Sequence, residues 1–421
     1  MNNLMYSSGN LGIAVVKGTL EITLLYILTD LFLFPAELVG SVLLALFVVD
    51  AFTNLFIGRL NDWLTTVHHL PGVVLTLGVP TCMLSVAFLY AAPLIGIHSV
   101  WGVFLLVALA KLSVTLMALP HNALLFWISR DNTKRSAITL YRFVFSTLGF
   151  LFVSYGLAHF IPGKNPHSIA IFGAVSAVAG SLSVLLSWQS VKSTVKTITV
   201  GRASVSKPFL ISIKYLYSRN FALIAMVVFA LPFISLLFSK SILYYADYVL
   251  LNVELSGWLL GSMIVGQFSG IPFWLKGVKK ISGVTLLKIA FSLIAWGCLS
   301  VFFSTHVHFV LSMIGAFIIG LGTSGSLSLI WSVAANCIDA TAKKGAPSYQ
   351  SFGFGFLMFV SRLSSGLSVM LFGYVLSESG FSPNVLQSES TQWSIQFLST
   401  LVPTLGALFC IFILVFYKNH K

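Results

Sequence analysis

Apolar runs about 20 residues long follow one another along almost the whole of this 421-residue chain, divided by short polar connections. A helix of that length crosses a hydrocarbon layer, whereas a membrane barrel strand needs only about ten alternating residues. Charged residues make up 8% of the chain and hydrophobic ones 57%. Soluble domains carry about a quarter charged residues, so water cannot be the solvent for this surface. Lipid can, and it requires every backbone polar group to be satisfied within helices. The fold class expected is an all-α integral membrane protein of twelve transmembrane helices.

Those spans are expected at about 10–34, 38–60, 72–95, 99–127, 141–162, 168–190, 220–250, 257–275, 284–304, 309–337, 348–377 and 394–416. An even count places both termini on one side. That side receives Arg59, Arg130, Lys134, Arg135, the basic stretch 191–219, and later Lys276, Lys279, Lys280, Lys343, Lys344, Lys418 and Lys421. The loops of the opposite side carry only Lys164. Positive loops remain in the cytoplasm, so both termini are expected there, in a plasma membrane and most simply a bacterial inner membrane. The net charge of +13 arises largely in these connections, which argues for lipid rather than nucleic acid as its partner. Residues 191–219 contain no acidic side chain and divide an N-terminal six-helix half, 1–190, from a C-terminal half, 220–421. No cleaved leader is expected, because Lys17 and Glu21 interrupt the first apolar run and no charged stretch precedes it. The four cysteines are far apart and read as core hydrophobes. A monomer without a cofactor is expected.

Ionisable groups inside spans are the informative residues, since hydrocarbon tolerates them only against a cavity or a partner. They are Lys17, Glu21, Asp50, Lys111, Arg142, Lys240 and Arg362, five cations against two carboxylates. Lys17 and Glu21 are four apart and can pair; Asp50 can pair with Lys111 or Arg362. The cations left over favour an anionic or zwitterionic solute. Asp50 and Asn54 share one helical face and could serve a sodium ion, a coupling proton or an interhelical hydrogen bond. His121 is a candidate proton carrier or a structural residue. Asp247 and Asp339 read as span-end groups.

Several motifs then resemble one family. The run from Asp50 to Asp62 (Asp-Ala-Phe-Thr-Asn-Leu-Phe-Ile-Gly-Arg-Leu-Asn-Asp) looks like the second-span signature of the glycoside–pentoside–hexuronide:cation symporters, melibiose-permease-like members of the major facilitator superfamily. Pro120 to Ala123, Arg130, Asp131, Arg135, Tyr141-Arg142 and Gly149 resemble its fourth span, loop and fifth span. Tyr244-Tyr245 with Tyr248-Val249, and Ala335 to Asp339 followed by Arg362 and Gly366, are similar to later spans.

The resemblance implies a secondary active transporter, not an enzyme, working by alternating access. It implies Asp50, Asn54 and Thr115 as the cation-coupling positions for Na+ or H+, with Arg362 beside them. Arg142, Asn122 and Arg362, joined by Lys111 and Lys240, would bind substrate. Gly58, Arg59, Asp62, Arg130, Asp131 and Arg135 would form a cytoplasmic gate. The departures carry chemistry. Ala14 and Ala118 stand where the family has sugar-binding carboxylates, Asn122 where it stacks an aromatic ring, and Asn54 where it has a second cation-binding carboxylate. Alanine accepts no hydroxyl hydrogen bonds, while arginine grips a carboxylate, sulfonate or phosphate through two. A small anionic solute is therefore expected: a hexuronide, sugar acid, organic acid or phosphorylated compound. Lysophospholipid transport, or a non-transporting sensor or assembly role, stands as the alternative.

Overall fold

In the computed structural model the described residues are 3–66, 70, 72–128, 132–196, 218–304, 308–341 and 348–417. They form helices α1 (Asn3–Asp30), α2 (Ala36–Thr66), α3 (Val73–Ala91), α4 (Val100–Ile128), α5 (Asn132–Phe160), α6 (Pro166–Lys196) and α7 (Arg219–Tyr244). After these come α8 (Leu255–Gly277), α9 (Gly283–Ser304), α10 (Phe309–Thr341), α11 (Ser348–Glu378), α12 (Glu389–Gln396) and α13 (Val402–Val415). A π turn, Phe397–Leu401, joins α12 to α13 as one span, and another, Tyr245–Val249, extends α7. Twelve helical spans among the described residues are long and apolar enough to cross a membrane. This is an all-α integral membrane protein.

Helix ends differ from the apolar runs in an instructive way. The first helix begins at Asn3 rather than near 10, and α5 begins at Asn132 rather than 141. Hydropathy marks the lipid layer, whereas a helix continues through polar residues for as long as its backbone bonds are met. Arg142 therefore stands about three turns inside α5 instead of at its start.

The chain divides into two compact units, Met1–Pro35 with Val48–Ala203, and Ala36–Phe47 with Ser204–Lys421. Within the first, α1 packs on α5 and α6, and α3 on α4 and α6. Within the second, α7 packs on α11 and α13, and α9 on α10 and α13. Counting α12 and α13 as one span, these four contacts are those of the first unit with six added to every helix number, while the packing of α8 on α10 falls outside the correspondence. No sequence repeat announces this correspondence; it is carried by packing.

Small residues permit the closest approaches. A Cβ on Gly12 of α1 would lie 2.1 Å from the carbonyl oxygen of Gly180 on α6, so only glycine lets these backbones meet. In the second unit the π turn after α7 is held by buried tyrosines. The Tyr245 hydroxyl donates to the Val301 carbonyl at 3.1 Å, and the backbone N–H of Asn384 donates to the Tyr248 hydroxyl at 3.1 Å. The tyrosine-rich segment singled out in the sequence thus packs the end of a span, and Asp247 lies within that turn.

Candidate functional site

Helical spacing assembles the site in the first unit. Asn10, Ala14, Lys17 and Glu21 recur at three and four residues along α1, as do Lys111, Thr115, Ala118 and Asn122 along α4. Each set therefore occupies one helical face. Arg142 and Ser146 form a shorter stripe on α5, continued by Gly149. A Cβ on Gly149 would meet the Leu11 carbonyl oxygen at 2.6 Å and the Ala14 Cβ at 2.8 Å, so this glycine sets how closely α5 lies on α1.

Arg142 is where these stripes meet. Its Nε donates to Oδ1 of Asn10 at 2.7 Å, and its Nη2 donates to Oδ1 of Asn122. Asn10 is held in turn, its Nδ2 donating to Ser146 Oγ at 3.2 Å. The guanidinium lies over the ring of Tyr6, 5.8 Å from its centre, within reach of a cation–π attraction. Tyr6 is fully buried and stacks on His121 with ring centres 4.9 Å apart. Its hydroxyl donates to the His121 carbonyl at 2.8 Å. Ser187 Oγ donates to the Tyr6 carbonyl at 2.6 Å and lies 2.8 Å from His121 Nε2. Since the serine proton is committed, Nε2 is the donor in that second bond. His121, fully buried, thus belongs to the support beneath Arg142.

The second cluster lies on α2 and α4. Thr115 Oγ1 donates to Oδ1 of Asp50 at 2.9 Å and lies 3.3 Å from the Lys111 carbonyl. Asn54 turns its amide nitrogen back to the Asp50 carbonyl at 2.6 Å, an intrahelical bond. Lys111 is half-buried on the same face of α4 as Thr115. Lys17 and Glu21 form the pair their spacing suggests, at 3.6 Å. Lys240, 2% exposed in α7, and the partly exposed Arg362 of α11 belong to the second unit. Of the gate residues, Arg130 and Asp131 lie outside the described residues, as do the side chains of Arg59, Asp62 and Arg135; so does the side chain of Asp339. Gly58 is described, and a Cβ there would meet only Leu119 Cδ2, at 4.0 Å.

Sequence reasoning missed three features. Tyr6 and Asn10 gave no charge signal, although Asn10 continues the stripe of Ala14 and Lys17. Ser187 carried none. Asp30 was overlooked as an acidic residue closing the first span, and it forms a 2.9 Å ion pair with Lys164. Thr29 Oγ1 donates to the other oxygen of that carboxylate at 2.8 Å.

The bundle has twelve membrane-length helices with an arginine and a carboxylate among them. The chain matches the family model for the MFS/sugar transport protein family over residues 5–421 and belongs to that family. Several relatives are named symporters. The isoprimeverose transporter of Lactiplantibacillus pentosus is 23% identical, the match covering 94% of this chain and 84% of that one. The glucuronide carrier protein homolog of Escherichia coli (strain K12) is 22% identical, over 98% and 91%. Among solved structures, the nucleoside transporter NupG shares the fold with a TM-score of 0.68 at 14% identity, over 99% and 100% of the two chains. The chain is a secondary active symporter of the sugar and glycoside type, not an enzyme.

Proposed function

We propose that this symporter carries a small anionic solute, such as a hexuronide, sugar acid, organic acid or phosphorylated compound, by alternating access. The observation that supports this most is the setting of Arg142. Among the described residues its hydrogen-bond partners are two neutral amides, and alanines stand at two positions where the resembling family has carboxylates. A neutral sugar would find few acceptors on these faces, while an oxyanion would find a guanidinium already oriented. Asn122, Lys111, Lys240 and Arg362 complete the proposed binding set. The glucuronide named for one relative is of this class, whereas isoprimeverose is not. Neither the lysophospholipid reading nor the non-transporting one draws support from the family.

Asp50, with Thr115 and Asn54, is the proposed coupling position for H+ or Na+. A carboxylate whose charge changes with the bound cation alters the relative stability of the two access states. The basic loops support a reading in which both termini lie in the cytoplasm, in a plasma membrane and most simply a bacterial inner membrane. There Gly58, Arg59, Asp62, Arg130, Asp131 and Arg135 would form a cytoplasmic gate, in a monomer whose halves 1–190 and 220–421 are joined by 191–219.

The test is counterflow in proteoliposomes with methyl glucuronide and methyl glucoside, which differ only at one carbon. Exchange of the glucuronide alone is expected. Arg142→Ala should lower that exchange at least about tenfold, the loss of one bidentate charged contact, while sparing insertion. Preferential exchange of the glucoside would sink the reading.

A further inference from the structure

The two amides that touch Arg142 do more than fill space. A guanidinium has two hydrogen-bonding edges, one formed by Nε and Nη2 and the other by Nη1 and Nη2. Here the inner edge is taken by Asn10 Oδ1 from α1 and Asn122 Oδ1 from α4. Arginine can only donate, so each amide must present its oxygen; the bond from Asn10 Nδ2 to Ser146 Oγ holds that side chain in this orientation. The Tyr6 ring supports one face of the plane. Among the described residues Nη1 has no hydrogen-bond partner. Held at one edge and on one face, the guanidinium keeps its outer edge available.

The chemical identity of the acceptors matters as much as their position. Carboxylates at residues 10 and 122 would hold Arg142 more strongly, because both partners of each bond would then be ionised. They would also cancel its charge. Membrane proteins ordinarily compensate a buried cation with an acid, and this chain does so at Lys164 with Asp30. At Arg142, among the described residues, it does not.

We propose that Asn10 and Asn122 are specificity-determining positioning residues, neutral clamps that orient Arg142 without discharging it, so that its outer edge meets the planar oxyanion of the cargo. The proposal rests on the anionic reading of the cargo and extends it to two residues on two other helices. It separates two properties that a merely structural role would move together. Asn122→Asp should raise or preserve thermal stability, since the acceptor of an already charged donor becomes ionised as well. The same change should reduce the preference for an acid over a neutral ligand at least about tenfold, since Arg142 then meets a fixed counter-charge at close range.

The experiment measures binding of methyl glucuronide and methyl glucoside to the purified full-length protein by thermal shift, for wild type, Asn10→Asp, Asn122→Asp and Asn122→Ala. Phenylglyoxal labelling of Arg142, which adds across two guanidinium nitrogens, is followed by mass spectrometry on the same proteins. The expected result is acid preference in wild type, its loss in both aspartate variants with stability retained, and a smaller loss in Asn122→Ala. Arg142 should label in wild type and label several-fold more slowly in the aspartate variants. Acid preference unchanged in Asn10→Asp and Asn122→Asp would overturn the clamp while leaving the anionic cargo standing. Equal binding of both ligands by wild type would instead remove the anionic cargo, and the labelling would still judge the clamp: a rate the same in all four proteins overturns it. Two variants on different helices guard against one failing to fold.

Discussion

Lys164 and Arg142 each meet helix α1 beside a tyrosine ring, yet one faces a carboxylate and the other faces two amides. Lys164 lies 5.4 Å from the centre of the Tyr26 ring and 2.9 Å from Asp30. Arg142 lies 5.8 Å from the centre of the Tyr6 ring and donates to Asn10 and Asn122. The aromatic support is alike, and the charge balance is opposite. A compensated cation closes a junction: Lys164 holds the connection between α5 and α6 to the end of α1, even though its φ of 49° is one a non-glycine residue rarely adopts. An uncompensated cation leaves a requirement that a ligand can meet. The difference separates what holds this unit together from what it offers to cargo.

Breaking the compensated pair should give the largest effect on stability. The Asp30 side chain is 1% exposed and that of Lys164 is 22% exposed. Removing one member of a buried ion pair costs about 3–5 kcal/mol when the other cannot reach water. Lys164→Ala should therefore be the more damaging change, because it leaves a carboxylate that cannot reach water without its ammonium. Asp30→Ala should cost less, since Lys164 can turn outward. Thermal unfolding in detergent ranks the two. An equal or reversed order would mean that Asp30 is held mainly by neutral hydrogen bonds such as that from Thr29, and the contrast with Arg142 would weaken.

A change at Asp50 should leave stability nearly intact and alter transport. Thr115 Oγ1 donates to Asp50 Oδ1, and an asparagine oxygen would accept the same bond. Asp50→Asn removes the charge and keeps that acceptor. Accumulation driven by an imposed proton or sodium gradient should disappear, while cargo exchange without a gradient persists. Accumulation unchanged in both gradients would exclude Asp50 as the coupling group. This sharpens the comparison by asking whether the Asp50 carboxylate is as consequential as the Arg142 guanidinium.

The fold was legible because lipid imposes one requirement on every span, and a run of apolar residues answers it visibly. Twelve spans and their order could be read that way. The six-shift correspondence between the units could not, since it resides in which helices touch, and glycine contacts such as Gly12 with Gly180 leave no periodic trace. In the candidate site, charge made Arg142, Asp50, Lys111 and the Lys17–Glu21 pair visible. Asn10, Tyr6 and Ser187 are polar without charge, and nothing in their own identity separates a clamp from an ordinary packing residue. Asp30 was readable in principle: it is an acid at the end of a span on the side whose only basic loop residue is Lys164.

The smallest effect is expected at the second compensated cation, Lys17. Its ammonium lies 3.6 Å from Glu21 one turn later, and the two side chains are 42% and 30% exposed. Pairs of this spacing contribute about 0.2–0.5 kcal/mol, and lysine preceding glutamate is the weaker order. Lys17→Gln should then shift the unfolding temperature by less than about 2 °C. Because the pair carries no net charge, glucuronide exchange should fall by less than about twofold, or about 0.4 kcal/mol of lost binding. Lys17 nevertheless lies on the same face of α1 as Asn10 and Ala14, so it is well placed to contradict this. If Lys17→Gln reduced exchange nearly as far as Arg142→Ala, Lys17 would be acting on cargo in spite of its carboxylate. Proximity of an acid would then no longer distinguish the cations that build this unit from those that bind, and Asn10 and Asn122 would lose the significance their neutrality gives them.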